Sequence, residues 1–203
     1  MTEQTTQKKY ELLKDDTVEH FGTTLYRIKA LITFGLVGAG QLGGYIETEK
    51  NLDHSGNARV YGIARVFGNA WVYGNAGVLD DAWVFDDARV FDDARVYGDA
   101  CVYGNAGVCG DARVYGNARV FGDARVRSFA VISERKMIFW ASNVGSENGT
   151  LTVFNGKFGL IVTRGCFTGT VDEFLSKSKE VHDDKTHHEY KLLIEVAQSR
   201  ILN

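Results

Sequence analysis

The sequence predicts an all-β solenoid. Its body is a triangular parallel β-helix, preceded by a small β cap and followed by a cap of strands and two helices. Three observations carry this prediction. A six-residue motif runs without a gap from Gly56 to Arg127, in twelve hexads that approximate (Gly/Asp)-(Asn/Asp)-Ala-X-Val-aromatic. Alanine holds the third place and valine the fifth in all twelve. The chain contains no proline, which suits uninterrupted strand pairing. A fixed short period of this kind marks architectures in which each repeat stacks on its neighbours.

The hexad reads directly into geometry. Alternate side chains of an extended segment point to opposite faces, so Ala and Val point inward while X and the aromatic point outward. The Gly-Asn, Gly-Asp or Asp-Asp pair is turn chemistry, because these residues tolerate positive φ. A strand of four and a turn of two make one side, and three sides close a coil of eighteen residues. The 72 residues of 56–127 then make four full coils. The small alanine fits where three sheets converge on a narrow axis.

The flanks read as caps, dividing the chain into 1–50, 51–132 and 133–203. Before the coil, Lys9–Leu13, Val18–His20 and Thr24–Leu31 read as strands with a turn at Phe21-Gly22. Leu52 occupies the Ala place of a degenerate hexad, which starts the coil before Gly56. After the coil, Ser128–Ile132 is a fading hexad. Met137–Ala141, Thr150–Phe154 and Leu160–Thr163 read as strands, with a hairpin turn at Asn155-Gly156. Two capping boxes, Thr170-Val171-Asp172-Glu173 and Thr186-His187-His188-Glu189, open helices over 170–182 and 186–201. The second helix carries Tyr190, Leu193, Ile194, Ala197 and Ile201 on one face, a core face expected to close the bottom of the coil. Such caps cover open sheet edges and prevent end-to-end stacking.

The hexads resemble those of left-handed parallel β-helix proteins, the hexapeptide-repeat group, and the left hand is an implication of that resemblance alone. The chain is similar in particular to hexapeptide-repeat proteins of bacteriophages and prophages. That resemblance extends to Ala39-Gly40-Gln41-Leu42-Gly43-Gly44-Tyr45-Ile46-Glu47 before the coil and to Thr163-Arg164-Gly165-Cys166-Phe167-Thr168-Gly169-Thr170-Val171-Asp172-Glu173-Phe174 after it. It implies a phage-encoded accessory protein in the cytoplasm of a bacterial host.

Composition narrows the function classes. The net charge is −3, with no polybasic or polyacidic tail. Residues 56–127 hold eight Arg and nine Asp but no Lys or Glu, a balance that disfavours nucleic acid as partner. No segment has the roughly 18 consecutive apolar residues of a membrane helix, and Met1–Lys9 lacks the apolar stretch of a signal peptide. A cytoplasmic location is expected, with Cys101, Cys109 and Cys166 as free surface and spacer thiols.

Several motifs invite a chemical reading. Gly38-Ala39-Gly40-Gln41-Leu42-Gly43 matches a dinucleotide-binding pattern, but no βαβ unit fits around it, so the glycines are expected to shape a tight approach to the coil. His182-Asp183-Asp184-Lys185-Thr186-His187-His188 holds five possible metal ligands. It reads more simply as the solvated loop before a helix, and no metal is expected. The hexapeptide resemblance raises acyl transfer from a thioester cofactor as an alternative function. Residues 56–127 hold no His, however, and His54 is the nearest of five, so no catalytic or cofactor-binding residue is assigned.

Two surface features remain. Asp80, Asp81, Asp86, Asp87, Asp92 and Asp93 replace Gly-Asn at three successive corners and ring one coil, with Arg89 and Arg95 on the intervening sides expected to offset their repulsion. The outward rings form columns flanked by Arg, the composition of binding surfaces. The candidate partner-binding residues are these six aspartates with Trp71, Trp83, Phe85 and Phe91. The expectation is a non-enzymatic interaction protein that binds, and inhibits, a host protein. Its other alternative is a structural homo-oligomeric phage component.

Overall fold

The computed structural model describes residues 7–203; Met1–Thr6, part of the polar start, lie outside the described residues. The molecule is a parallel β-solenoid of about five turns between two unlike ends. Strands β1 (Tyr10–His20) and β2 (Thr23–Ala30) form an antiparallel hairpin, turned by Phe21 and Gly22 at φ of 48° and 80°. Strand β3 (Leu42–Ile46) pairs with β2 on one side and parallel to Arg65–Val66 on the other, so the hairpin extends one solenoid sheet. Thirteen two-residue strands follow at six-residue intervals, from β4 (Arg59–Val60) to β16 (Val131–Ile132).

The solenoid strands pair in parallel with the strand eighteen residues on, as in Trp83 with Cys101 and Gly107 with Arg125. Three flat faces result. The first is built on Ile46, Val66, Val84, Val102 and Val120, the second on Val60, Val78, Val96, Val114 and Ile132, and the third on Val72, Val90, Val108 and Val126. Regular pairing is shorter than the four residues expected, covering X and Val only, but hydrogen bonding continues past it. Arg59, Tyr61 and Asn57 each donate a backbone N–H at 2.9 Å, to Ala76, Val78 and Gly74 carbonyls. Ala and Val of every hexad are at most 1% exposed and form one continuous core.

Two details depart from the expected frame. Leu52 pairs with Val72 and so fills a Val place, not an Ala place. The segment from Leu52 to Val60 spans eight residues where a hexad spans six, which shifts the frame by two. Ile63 takes the second corner place, half exposed, where the other eleven hexads have Asn or Asp.

At the far end, β17 (Ile138–Val144), β18 (Gly149–Gly156), β19 (Gly159–Arg164) and β20 (Phe167–Thr170) form an antiparallel sheet. Asn155 and Gly156 belong to β18, so the turn lies one step later, at Lys157-Phe158. Asn155 is held there by its side-chain amide, which donates to the Val131 carbonyl at 3.1 Å. Strand β20 is an addition to the sequence reading, its polar and glycine-bearing sequence giving little alternation to detect.

This sheet, not a helix, closes the coil: Ile138 and Phe154 join the solenoid core. Helices α1 (Val171–Val181) and α2 (Asp184–Leu202) pack on its other face, in a second core of Leu151, Val153, Val162, Phe174, Tyr190, Ile194, Ala197 and Ile201. The apolar stripe of α2 is buried as expected, but against the sheet. The Thr170–Glu173 capping box opens α1. Helix α2 starts earlier than the second box predicts, because the Asp183 carboxylate accepts the Thr186 N–H at 2.8 Å. An aspartate is the stronger N-cap, and its charge suits the helix N-terminus. No helix among the described residues is long and apolar enough to cross a membrane.

Side chains satisfy the backbone at both ends. Asn51 donates to Gly68 and Ala70 carbonyls at 2.9 Å each. The last coil's Arg125 donates its N–H to Thr152 Oγ1 at 3.1 Å, and its carbonyl accepts from Thr163 Oγ1 at 2.7 Å. Lys9 is 1% exposed, donates from Nζ to the Ala58 carbonyl at 2.9 Å and lies over the Phe34 ring. Burial pushes its ammonium from 10.5 down to about 8, against the pull of Asp53. The unfolded chain therefore binds more protons than the folded one between pH 8 and 10.5, and this group's contribution to stability rises with pH across that window. Wild type should gain stability relative to Lys9→Met over that interval and show a constant difference below it. Denaturant midpoints of both proteins on either side of the window test this, and a pH-independent difference would refute it.

Candidate functional site

The six belt aspartates are exposed and stand at the three corners of one coil, as expected. The first of each pair adopts the left-handed conformation that glycine holds at the other hexad corners, with φ of 59° at Asp80, 58° at Asp86 and 56° at Asp92. Such a backbone costs a non-glycine residue about 1–2 kcal/mol. A bond along the rod offsets this cost. The Asp80, Asp86 and Asp92 carboxylates accept the N–H of Gly98, Gly104 and Gly110 at 3.2, 3.1 and 3.3 Å. Asp87 and Asp93 accept from the side-chain amides of Asn69 and Asn75 at 3.0 and 3.1 Å.

The expected compensation by Arg89 and Arg95 is absent. Among the described residues, none of the eight coil arginines lies within ion-pair distance of a carboxylate. Five of the six belt carboxylates, those of Asp80, Asp86, Asp87, Asp92 and Asp93, bond along the rod axis to neighbouring coils. Seven of the eight arginines, all but Arg127, hold the X place of a face, two or more extended residues from the corner carboxylates. Both signs of charge therefore remain available at the surface.

The aromatic columns form as read. Phe67, Phe85, Tyr103 and Phe121 stack down the first face at 4.9–5.1 Å, Tyr73 and Phe91 down the third at 4.9 Å, and Tyr97 and Tyr115 down the second at 4.9 Å. The four candidate rings fall on two faces. Trp83 and Phe85 belong to the first face and are half-buried. The Trp83 ring meets His20 of the hairpin at 4.4 Å and the Arg65 guanidinium at 5.3 Å. Trp71, stacked on Tyr73 at 4.1 Å, and Phe91 belong to the third face, where Trp71 is 41% exposed. The corner bearing Asp86 and Asp87 is shared by these two faces and links the candidate residues into one ridge.

Sequence reasoning missed a notch on the third face. The strand Gly107–Val108 and the following Cys109 present no large outward side chain, and a cavity of about 200 Å³ opens there between Arg89, Arg125 and Arg127. Cys109 is buried at its floor instead of being a surface thiol. Burial pushes its thiol pKa up, which favours the neutral thiol. Both small residues stand in plain view in the hexads; the signal was their coincidence in one hexad.

The remaining motifs are accounted for by packing. The glycine-rich loop leads into β3, not a helix, and a Cβ at Gly43 or Gly44 would come within 2.6 Å of Val60 O or 2.5 Å of Ala64 O. His20, not His54 alone, lies against the coil, its ring edge-on to Phe67 and Trp83. His54 stacks on Tyr10 and accepts the Lys9 N–H. His187 bonds Ser178 between the helices at 3.2 Å. Among the described residues, no three His, Cys, Asp or Glu side chains stand close enough to share a metal ion.

Residues 94–110 and 112–128 match the family model described as YdcK Beta solenoid repeat. The chain is thus similar to a β-solenoid repeat family over two segments of its coil. Among curated proteins, none matches the chain.

Proposed function

We propose that the protein is a non-enzymatic rod that binds a protein partner along its side, centred on the ridge of Asp86 and Asp87 with Trp71 and Phe91 beside it. One observation carries this reading: among the described residues coil arginines and belt aspartates do not pair with each other, and they stand beside rings on flat faces, of which Trp71 is exposed and Phe91 half-buried. Rings supply the apolar contact, and unpaired charges supply orientation and on-rate. The two caps leave the sides as the accessible repeat surface. The resemblance of the hexads and flanks to phage and prophage proteins supports a bacterial host protein as the partner, inhibition as the outcome and the host cytoplasm as the location.

The test is affinity capture with tagged protein at modest salt, run in parallel with Trp71→Ala and with the double variant Asp86→Asn, Asp87→Asn. A stoichiometric partner retained by wild type and weakened by Trp71→Ala about 30-fold, the scale of a binding hot spot, is expected. A partner bound equally by all three proteins moves the interface elsewhere. Light scattering on the same samples reports self-association, and a defined oligomer with no captured partner would replace this reading with a structural one.

A further inference from the structure

The third face holds rings at only two of the four places of its column. Tyr73 and Phe91 stack at 4.9 Å and 2°, but the next place holds Cys109 and the one after it Arg127. On the first face the same column continues, from Phe85 to Tyr103 and from Tyr103 to Phe121, at 4.9 Å per step. Between Phe91 and Arg127 there are thus two coil steps occupied only by a buried thiol. In the neighbouring column Gly107, between Arg89 and Arg125 in the pairing register, adds no side chain of its own, and the Arg125 side chain folds over it, with Cδ 3.3 Å from where a Cβ would stand. The space left at Cys109 opens into the cavity of about 200 Å³, with the Arg125 side chain along its wall.

The charge lining this slot is one-sided, while the Asp92 carboxylate at the adjoining corner accepts the Gly110 N–H. Among the described residues, none of its three arginines has a carboxylate in ion-pair range. Arg125 donates to the Asn105 carbonyl and Arg127 to the Gly165 carbonyl, the latter at 3.3 Å. Both are neutral acceptors.

We propose that this slot binds a planar ring carrying an oxyanion, of the mononucleotide class. The ring lies on the open face of Phe91, where a repeat aromatic sits on the first face, and the Arg127 guanidinium approaches its other side. The phosphate meets Arg89 and Arg125, whose planar forks match oxyanion geometry. The neutral floor at Cys109 adds no opposing charge. Each half of the ligand is insufficient alone: a ring without charge leaves the arginines unpaired, and a free phosphate meets partly solvated cations that salt screens. The inference rests on the two small residues of one hexad and is independent of any protein partner.

Calorimetry on the full chain with 5′-AMP, adenosine and inorganic phosphate tests it. AMP should bind about tenfold or more tighter than either fragment, and Arg89→Ala should weaken AMP about tenfold. Cys109→Phe fills the slot with the ring that most hexads carry, so it should keep the melting curve of wild type and lose AMP binding. Absence of AMP binding to wild type, or equal binding to Cys109→Phe, overturns the proposal. Phosphate binding as tight as AMP overturns it as well, leaving an anion patch without a ring site.

Discussion

Ala94→Phe should destroy the cooperative thermal unfolding of the coil. Ala94 is fully buried, and its backbone is bonded between the coils of Ala76 and Ala112, whose side chains are equally buried. Inward side chains from three faces meet on one axis, and close-packed interiors do not absorb extra volume locally. Overpacking alone costs about 1–3 kcal/mol. Here the ring also separates coils whose backbone bonds must stay near 2.9 Å, so the loss should exceed the upper end of that range. Arg95→Ala, one residue on but facing outward, should stay within about 0.5 kcal/mol of wild type. Calorimetric scans of the two variants check both statements, and a wild-type transition in Ala94→Phe would refute the packing described for the axis.

Phe154→Ala should cost about 3–5 kcal/mol, the scale for deleting a buried aromatic. Phe154 is fully buried and belongs to the solenoid core although it lies on the cap sheet. Its neighbours Leu151 and Val153 face the helices instead, so one strand seals both cores. Loss of the ring should loosen the last coil while the sheet and helices keep their own packing. Hydrogen exchange of amides in 119–132 should accelerate more than exchange in α2. Equal acceleration of both regions would mean that coil and cap unfold as one unit.

The coil was legible because each hexad repeats the same inward pair, so twelve weak signals add. The caps were legible where local chemistry is strong, as at Thr170–Glu173, and shifted where two local signals compete. Asp183 outranks Thr186 as an N-cap because a carboxylate accepts backbone N–H groups better than a hydroxyl. Asn155-Gly156 looks like a turn, but its amide is used across the interface to Val131. That use is invisible without the third dimension. The surface followed the same rule. Ring columns followed from register alone. The absence of Arg–Asp pairing depended on the direction in which each carboxylate turns, which spacing does not specify. The notch at Gly107 and Cys109 was present in the letters, but its meaning arises only when strands eighteen residues apart are laid side by side.

The two ends also settle a problem that repetition creates. Every interior coil offers the same Ala and Val surface above and below, so a slip of eighteen residues would re-form nearly all of its pairs. Nothing in the buried Ala and Val pairs themselves says which coil is which. The address is written at the ends, by Lys9 on Ala58, Asn51 on Gly68 and Ala70, Asn155 on Val131 and Thr163 on Arg125. Length is then free to vary during evolution. Duplicating eighteen residues adds one storey, leaves both terminal fittings intact and keeps each face in line. The spacing between the hairpin and the helices is thereby graduated in fixed steps, like a ruler.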